Sequence, residues 1–114
     1  MKMSTGTATL SAKACVPCAP GTPKLAAAQI QTLLAQLNGW KVKEGVLTRT
    51  FRFKNYYETM AFVNATAWIA HAADHHPDLE VGYNKCTMRY STHSIGGLSE
   101  NDFICAARID GLGA

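Results

Sequence analysis

The stretch from Asn55 to Pro77 constrains the fold more than any other. Asn55 with Glu58 three positions on has capping-box spacing, Asn standing in for the usual Ser or Thr. The spacing predicts a helix of about five turns from there to His75. Met60, Val63, Ala67 and Ala70 form an apolar line, widened by Phe62, Ile69 and Ala73. Trp68 is placed to cover a sheet or a partner chain. Pro77 disfavours helical backbone at His76, so the helix stops there. A long helix with a broad apolar face needs a surface to lie on, and the segments on both sides alternate with the strand period.

Upstream, Trp40-Lys-Val-Lys43 and residues 47–53 alternate around a Glu44-Gly45 turn. This predicts a hairpin with Leu47, Phe51 and Phe53 on the buried side. Arg49, Arg52 and Lys54 then fall on the outer face and end of its second strand. Downstream, residues 79–83 and 85–90 alternate around Asn84 and put Cys86, Met88 and Tyr90 on one face. Thr22 as N-cap and Pro23 at the first helical position open a first helix. Its stripe is Ala26, Ile30, Leu33, Leu34 and Leu37, and Asn38-Gly39 closes it. Ser99 with Asp102 opens a last helix through Phe103, Ile104, Ala106, Ala107 and Ile109, ended by Gly111-Leu-Gly113. The order α-β-β-α-β-β-α predicts an α+β fold, a single four-stranded antiparallel sheet with three helices on one face. So small a sheet leaves edge strands that a second copy would cover, so a homo-oligomer is expected.

Composition narrows the class. A chain of 114 residues with 47% hydrophobic and 17% charged residues is one globular domain. The net charge of +3 is mild and scattered, which argues against nucleic acid as a partner. No apolar run is long enough for a membrane span, and the start lacks a secretory h-region, so a cytoplasmic location is expected. Residues 1–22, rich in small residues, Gly and Pro, read as a flexible N-terminal arm, with residues 23–114 as the folded domain. The arm carries Cys15-Val-Pro-Cys18. Such a pair is redox-active, half of a zinc site, or incidental. A second ligand pair is missing, because Cys86 and Cys105 stand apart in sequence, and no strand precedes it. The incidental reading is favoured, and no metal is expected.

Three of the four histidines, His71, His75 and His76, fall within six positions at the end of the long helix. The fourth, His93, follows in Tyr90-Ser-Thr-His-Ser-Ile-Gly-Gly-Leu-Ser. His71 and His75 share a helix face. They are ordinary solvated residues, an acid/base pair, or metal ligands wanting a third group such as His93, Asp74 or Asp78. HxxxH without the zincin Glu is a weak metal signal. Imidazoles titrate near neutrality, so several around one pocket suit proton transfer without a metal. Asp102 is at least the N3 member of the Ser99 cap, and turn geometry accounts for Gly96-Gly97.

Those residues carry a longer pattern. His71, His75, His76, Pro77, Tyr83, His93 and Asp102 stand at the spacings of a known signature: a charged residue, three spacers, His, His or Asn, Pro, then an aromatic, a His and an Asp. The flanking Tyr83-Asn84, Ser91-Thr-His93, Gly97-Leu98 and Asn101-Asp102-Phe103 agree as well. Over about residues 23–110 the chain resembles the pterin-4a-carbinolamine dehydratases, a family also known as dimerisation cofactors of a hepatocyte transcription factor. The resemblance implies removal of water from 4a-hydroxytetrahydrobiopterin to give quinonoid dihydropterin, regenerating the pterin of aromatic amino acid hydroxylases. It implies His75, His76 and His93 as catalytic residues. His71, Pro77, Tyr83, Thr92 and Asp102 would bind the pterin, with no cofactor or metal. It also implies a homodimer or homotetramer, with an aromatic amino acid hydroxylase as a further partner. A non-catalytic assembly module of the same fold is the alternative. The first signature position is Glu in the animal form and His71 here, so the charge beside the other imidazoles differs.

Overall fold

A computed structural model describes residues 10–113. The elements in chain order are α1 (Ala27–Leu34), β1 (Lys41–Lys43), β2 (Val46–Arg52), α2 (Tyr56–Ala73), β3 (Asp78–Val81), β4 (Lys85–Tyr90) and α3 (Glu100–Asp110). A single 3-10 turn, His93–Ile95, sits between β4 and α3. The strands form one antiparallel sheet in the order β1-β2-β4-β3, so the two hairpins join through β2 and β4. This is the expected α-β-β-α-β-β-α architecture.

The first hairpin turns at Glu44 and Gly45, both at positive φ, 52° and 77°. Lys43 pairs with Val46 around them. A two-residue loop with both central residues left-handed matches the twist of the flanking strands, and glycine takes the second position without strain. Period-two alternation then places Leu47, Phe51, Cys86, Met88 and Tyr90 on the inner face, all buried. Burying each of these large side chains contributes roughly 1.5–3 kcal/mol. Arg49 shares that inner face, contrary to the outer position expected. Its guanidinium bonds the Asp110 carboxylate at 2.8 Å and the Asn38 carbonyl at 2.5 Å, and lies 4.2 Å over the Phe51 ring. Trp40 Nε1 donates to the same Asp110 oxygen at 2.8 Å, so a desolvated charge has partners on every side.

Helix α3 is the centre of the molecule. Every residue from Asn101 to Ile109 except Arg108 is buried. The capping signal at its start is correct: the Asp102 carboxylate accepts from the Ser99 N–H at 3.0 Å. Helix α2 begins as expected with the Asn55 side chain accepting from the Glu58 N–H at 2.9 Å. The return bond goes one residue further back, from the Lys54 N–H to Glu58 Oε1. Its fully buried line is Thr59, Phe62 and Thr66. The expected Val63, Ile69 and Ala73 pack partly buried against the core, while Met60 is only partly buried and Ala67 is exposed. The threonines are tolerated inside because their hydroxyls are satisfied. Thr59 Oγ1 donates to the Asn55 and Tyr83 carbonyls and Thr66 Oγ1 to that of Val63. Trp68 is 69% exposed, its ring beside that of His71 on the outside of the helix.

Several element ends differ from the sequence reading, and α1 stops at Leu34 rather than at Asn38-Gly39. Helix α1 starts at Ala27, because residue 25 is drawn into an extended contact, Leu25 N–H to Leu98 carbonyl at 2.9 Å. A side chain on Gly97 would collide with Lys24 there, with a Cβ only 2.6 Å from its Cδ. Gly97 thus reflects close approach, while its neighbour Gly96, at φ 65°, reflects turn geometry. Helix α2 ends at Ala73, two residues before His75. Asp74 is left-handed at φ 53°, the Asp74 N–H bonds the His71 carbonyl, and the His75 N–H bonds that of Ala70. These are the two bonds of a Schellman stop, and they release the chain before Pro77 acts.

Candidate active site

The early stop of α2 creates the site. Leaving the helix at Asp74 turns His75 away from His71 and towards the sheet. The His75 ring lies nearly parallel to Tyr90, 5.8 Å between centroids at 12°. Its Nε2 meets Asp102 Oδ1 at 2.6 Å. The His75 side chain is 15% exposed and that of Asp102 is 0%. A carboxylate only accepts, so Nε2 carries the proton and Nδ1 is the nitrogen left for a ligand.

Asp102 sits in the first turn of α3, where exposed N–H groups favour a carboxylate. Its second oxygen accepts from the Ser99 N–H and, at 2.9 Å, from the Thr92 hydroxyl. Thr92 has a single proton to give, so the 2.8 Å contact between the Thr92 and Ser99 hydroxyls has Ser99 donating. Ser99 to Thr92 to Asp102 is therefore a directed chain that ends at the carboxylate, and His75 donates to the same carboxylate from the other side. Such a chain holds His75 in one tautomer and orientation.

A cleft of about 450 Å³ opens beside this chain. His75, His76, His93, Thr92 and Asn101 line it, together with the end of α2 and residues 15–18. His76 is exposed, and its Nδ1 lies 3.2 Å from the Pro77 carbonyl, which fixes the proton there and leaves Nε2 for a ligand. His93 opens the 3-10 turn and is exposed. Three imidazoles from two loops thus converge on one cavity, one held by a buried carboxylate and two open to solvent. That arrangement can hold a flat polar ring and pass protons at its edges.

The remaining expected site residues are not all here. His71 stays on the outside of α2, its ring 5.4 Å from Trp68, and does not line the cleft. Tyr83 is 64% exposed in the β3–β4 turn, where its carbonyl accepts from Thr59. Pro77 is half-buried behind His76. Three features escaped the pattern reading: the Tyr90 ring beneath His75, Asn101 in the cleft wall, and residues 15–18 facing it. Alternation places Tyr90 inside but cannot name the ring that stacks on it, and nothing local links residue 15 to residue 101.

Tyr90 carries a testable cost. Its hydroxyl is buried with no partner in good hydrogen-bond geometry among the described residues, the Cys105 thiol being its polar neighbour. Burial pushes its ionisation far above the ordinary value of 10.0. A group held protonated when folded contributes stability that is complete below its ordinary value and is lost as pH climbs past it. Tyr90→Phe keeps the ring and removes the orphaned hydroxyl. Urea denaturation is expected to show equal or higher stability, by up to about 1 kcal/mol, and a shallower decline above pH 10.0 than wild type. A loss of more than that would mean the hydroxyl has a partner.

Known proteins resemble this chain in sequence and in fold. The family model for pterin 4 alpha carbinolamine dehydratase matches residues 23–112. A protein of Nitrosospira multiformis, named provisionally as a pterin-4-alpha-carbinolamine dehydratase, is 58% identical over 103 residues, covering 90% of this chain and 91% of its own. A protein of the same provisional name from Stenotrophomonas maltophilia is 60% identical over 100 residues, 86% of each chain. Among solved structures, the transcriptional coactivator/pterin dehydratase of Brucella melitensis superposes with a TM-score of 0.77 at 28% identity, over 81% of this chain and all of that one. A pterin dehydratase-like protein identified as a RuBisCO assembly factor in the alpha-carboxysome gives 0.55 at 26% identity, over 66% and 87%.

Proposed function

The chain belongs to the pterin 4 alpha carbinolamine dehydratase family, and on that premise we propose that its histidine cleft dehydrates a 4a-hydroxytetrahydropterin to the quinonoid dihydropterin. The observation that carries the reading is His75, seated at the cleft wall with Asp102 behind it at 2.6 Å. Loss of water needs two proton movements. The C4a hydroxyl takes up a proton and leaves as water, and the adjacent ring nitrogen gives one up as the new double bond forms. Asp102 accepts from His75 Nε2 and fixes the tautomer, which suits His75 to accept the ring proton through Nδ1. His93, on the loop after β4, supplies the proton to the hydroxyl. His76 orients the pterin through Nε2. The enzyme supplies the dehydration step of pterin recycling for an aromatic amino acid hydroxylase in the cytoplasm, and a separate reductase returns the quinonoid dihydropterin to the tetrahydro form. A second copy adds to the exposed β3 edge, where Leu79 and Val81 are uncovered, to give a homo-oligomer.

A second reading, a non-catalytic assembly module, is favoured by one observation, the likeness to the RuBisCO assembly factor. One assay separates the two. A phenylalanine hydroxylase generates 4a-hydroxytetrahydropterin in place, and its decay is followed by ultraviolet absorbance. Clear acceleration over the spontaneous reaction is expected. Its absence from folded protein would sink the dehydratase reading and leave the assembly module.

A further inference from the structure

The CxxC spacing points to Cys15 and Cys18 as a pair, but the structure gives Cys15 another neighbour. Its Sγ lies 3.9 Å from the Sγ of Cys105, 90 residues away in sequence. The Cys18 thiol instead faces the Val16 carbonyl and the Asn101 side-chain amide, each at 3.8 Å. Cys15 is held in place from both sides. Asn101 clasps the Val16 backbone twice, accepting from its N–H at 3.0 Å and donating to its carbonyl at 2.6 Å. On the other side the Arg108 guanidinium donates to the carbonyls of Ser11 and Lys13, at 3.1 and 2.6 Å. Asn101, Cys105 and Arg108 follow one another along one face of α3. Residues 11–18 are thereby laid along that helix with Cys15 over Cys105. Among the described residues no three His, Cys, Asp or Glu side chains are arranged to hold a metal ion.

We propose that Cys15 and Cys105 form a reversible disulfide, which fastens residues 15–18 against α3 as a covalent wall of the histidine cleft. The sulfurs need approach by only about 2 Å to reach bonding distance, a displacement within the swing of the half-buried Cys15 side chain. The oxidant is a small-molecule disulfide, RSSR. The Cys15 thiolate attacks one of its sulfurs, the S–S bond breaks, and one RS⁻ leaves and takes up the proton Cys15 gave up. The Cys105 thiolate then attacks the Cys15 sulfur and displaces the second RS⁻, which is protonated in turn. Two protein thiols are oxidised and one RSSR is reduced to two RSH. Burial pushes both thiols above their ordinary value of 9.0, so the bond forms slowly. Once formed it resists reduction, since thiols of high pKa are poor leaving groups. The site is independent of the dehydratase reading except in the cleft it borders.

The test equilibrates the reduced full-length chain with oxidised glutathione at mildly alkaline pH, then quenches with acid and maps the peptides by mass spectrometry. A linked pair of peptides joining Cys15 to Cys105, lighter by two hydrogen atoms, is expected in wild type and in Cys18→Ser, and is absent from Cys15→Ser. The oxidised wild type should also melt at higher temperature than the reduced form, because the link closes a long loop of the unfolded chain, while Cys15→Ser shows no such shift. Glutathione left on Cys15 without the link, or a bond between Cys15 and Cys18 alone, overturns the proposal. The mapping does not depend on turnover, so a protein that forms the link but whose reduced form fails to dehydrate the pterin refutes the dehydratase reading and leaves this bond standing.

Discussion

Replacing His75 by alanine is expected to lower kcat/KM for the proposed dehydration by roughly 10²–10⁴-fold, the range for losing a general acid or base. The ring sits at the cleft wall with Nε2 committed to Asp102 and, among the described residues, no hydrogen bond at Nδ1. His93→Ala should fall in the same range if it is the opposite proton carrier, because each variant removes one of two required transfers. His71→Ala is the control. His71 is outside the cleft against Trp68, and its loss should leave the rate within about twofold, an effect well under 1 kcal/mol. A His71 variant as slow as the His75 variant would mean that the working site differs from the cleft described.

Asp102→Ala should damage stability and rate together. The carboxylate receives three hydrogen bonds, from His75, Thr92 and the Ser99 N–H, at zero exposure. Alanine leaves the Ser99 N–H, the reciprocal bond of the cap, desolvated and unpaired and removes the acceptor of the Thr92 hydroxyl, at about 1–3 kcal/mol. The expected loss by urea denaturation is therefore roughly 1–3 kcal/mol. Asp102→Asn separates the roles. Its amide oxygen can still accept, so much of the stability returns, but its NH₂ opposes either Thr92 or His75 and no longer favours a positively charged ring. The rate of the Asn variant should stay low while its midpoint recovers. Full recovery of both would reduce Asp102 to a cap.

Much of the architecture was legible locally. The Glu44-Gly45 turn, the alternation through Cys86, Met88 and Tyr90, and the Ser99 cap each name an element through interactions a few residues long. The buried line of α2 was misjudged because period-counting rewards Met60 and Ala67 and penalises threonine. Thr59 and Thr66 are buried since their hydroxyls find carbonyls, and one of these belongs to Tyr83 in a distant turn. Arg49 was placed outside for a similar reason. Its partners Asp110 and Asn38 come from elements that sequence spacing does not connect.

The sequence by itself determined the order of elements, the two hairpins and which histidines cluster along the chain, because turns, caps and periodicity act over a few residues. Tertiary structure decided which of those histidines share a cavity. The left-handed Asp74 ends α2 early, so His75 swings towards Tyr90 and Asp102 while His71 stays outside. It also brought residue 15 to residue 105, which no local rule foresees. Both outcomes rest on packing and hydrogen bonds between segments far apart in sequence, whose energies exist only once the core around α3 has formed.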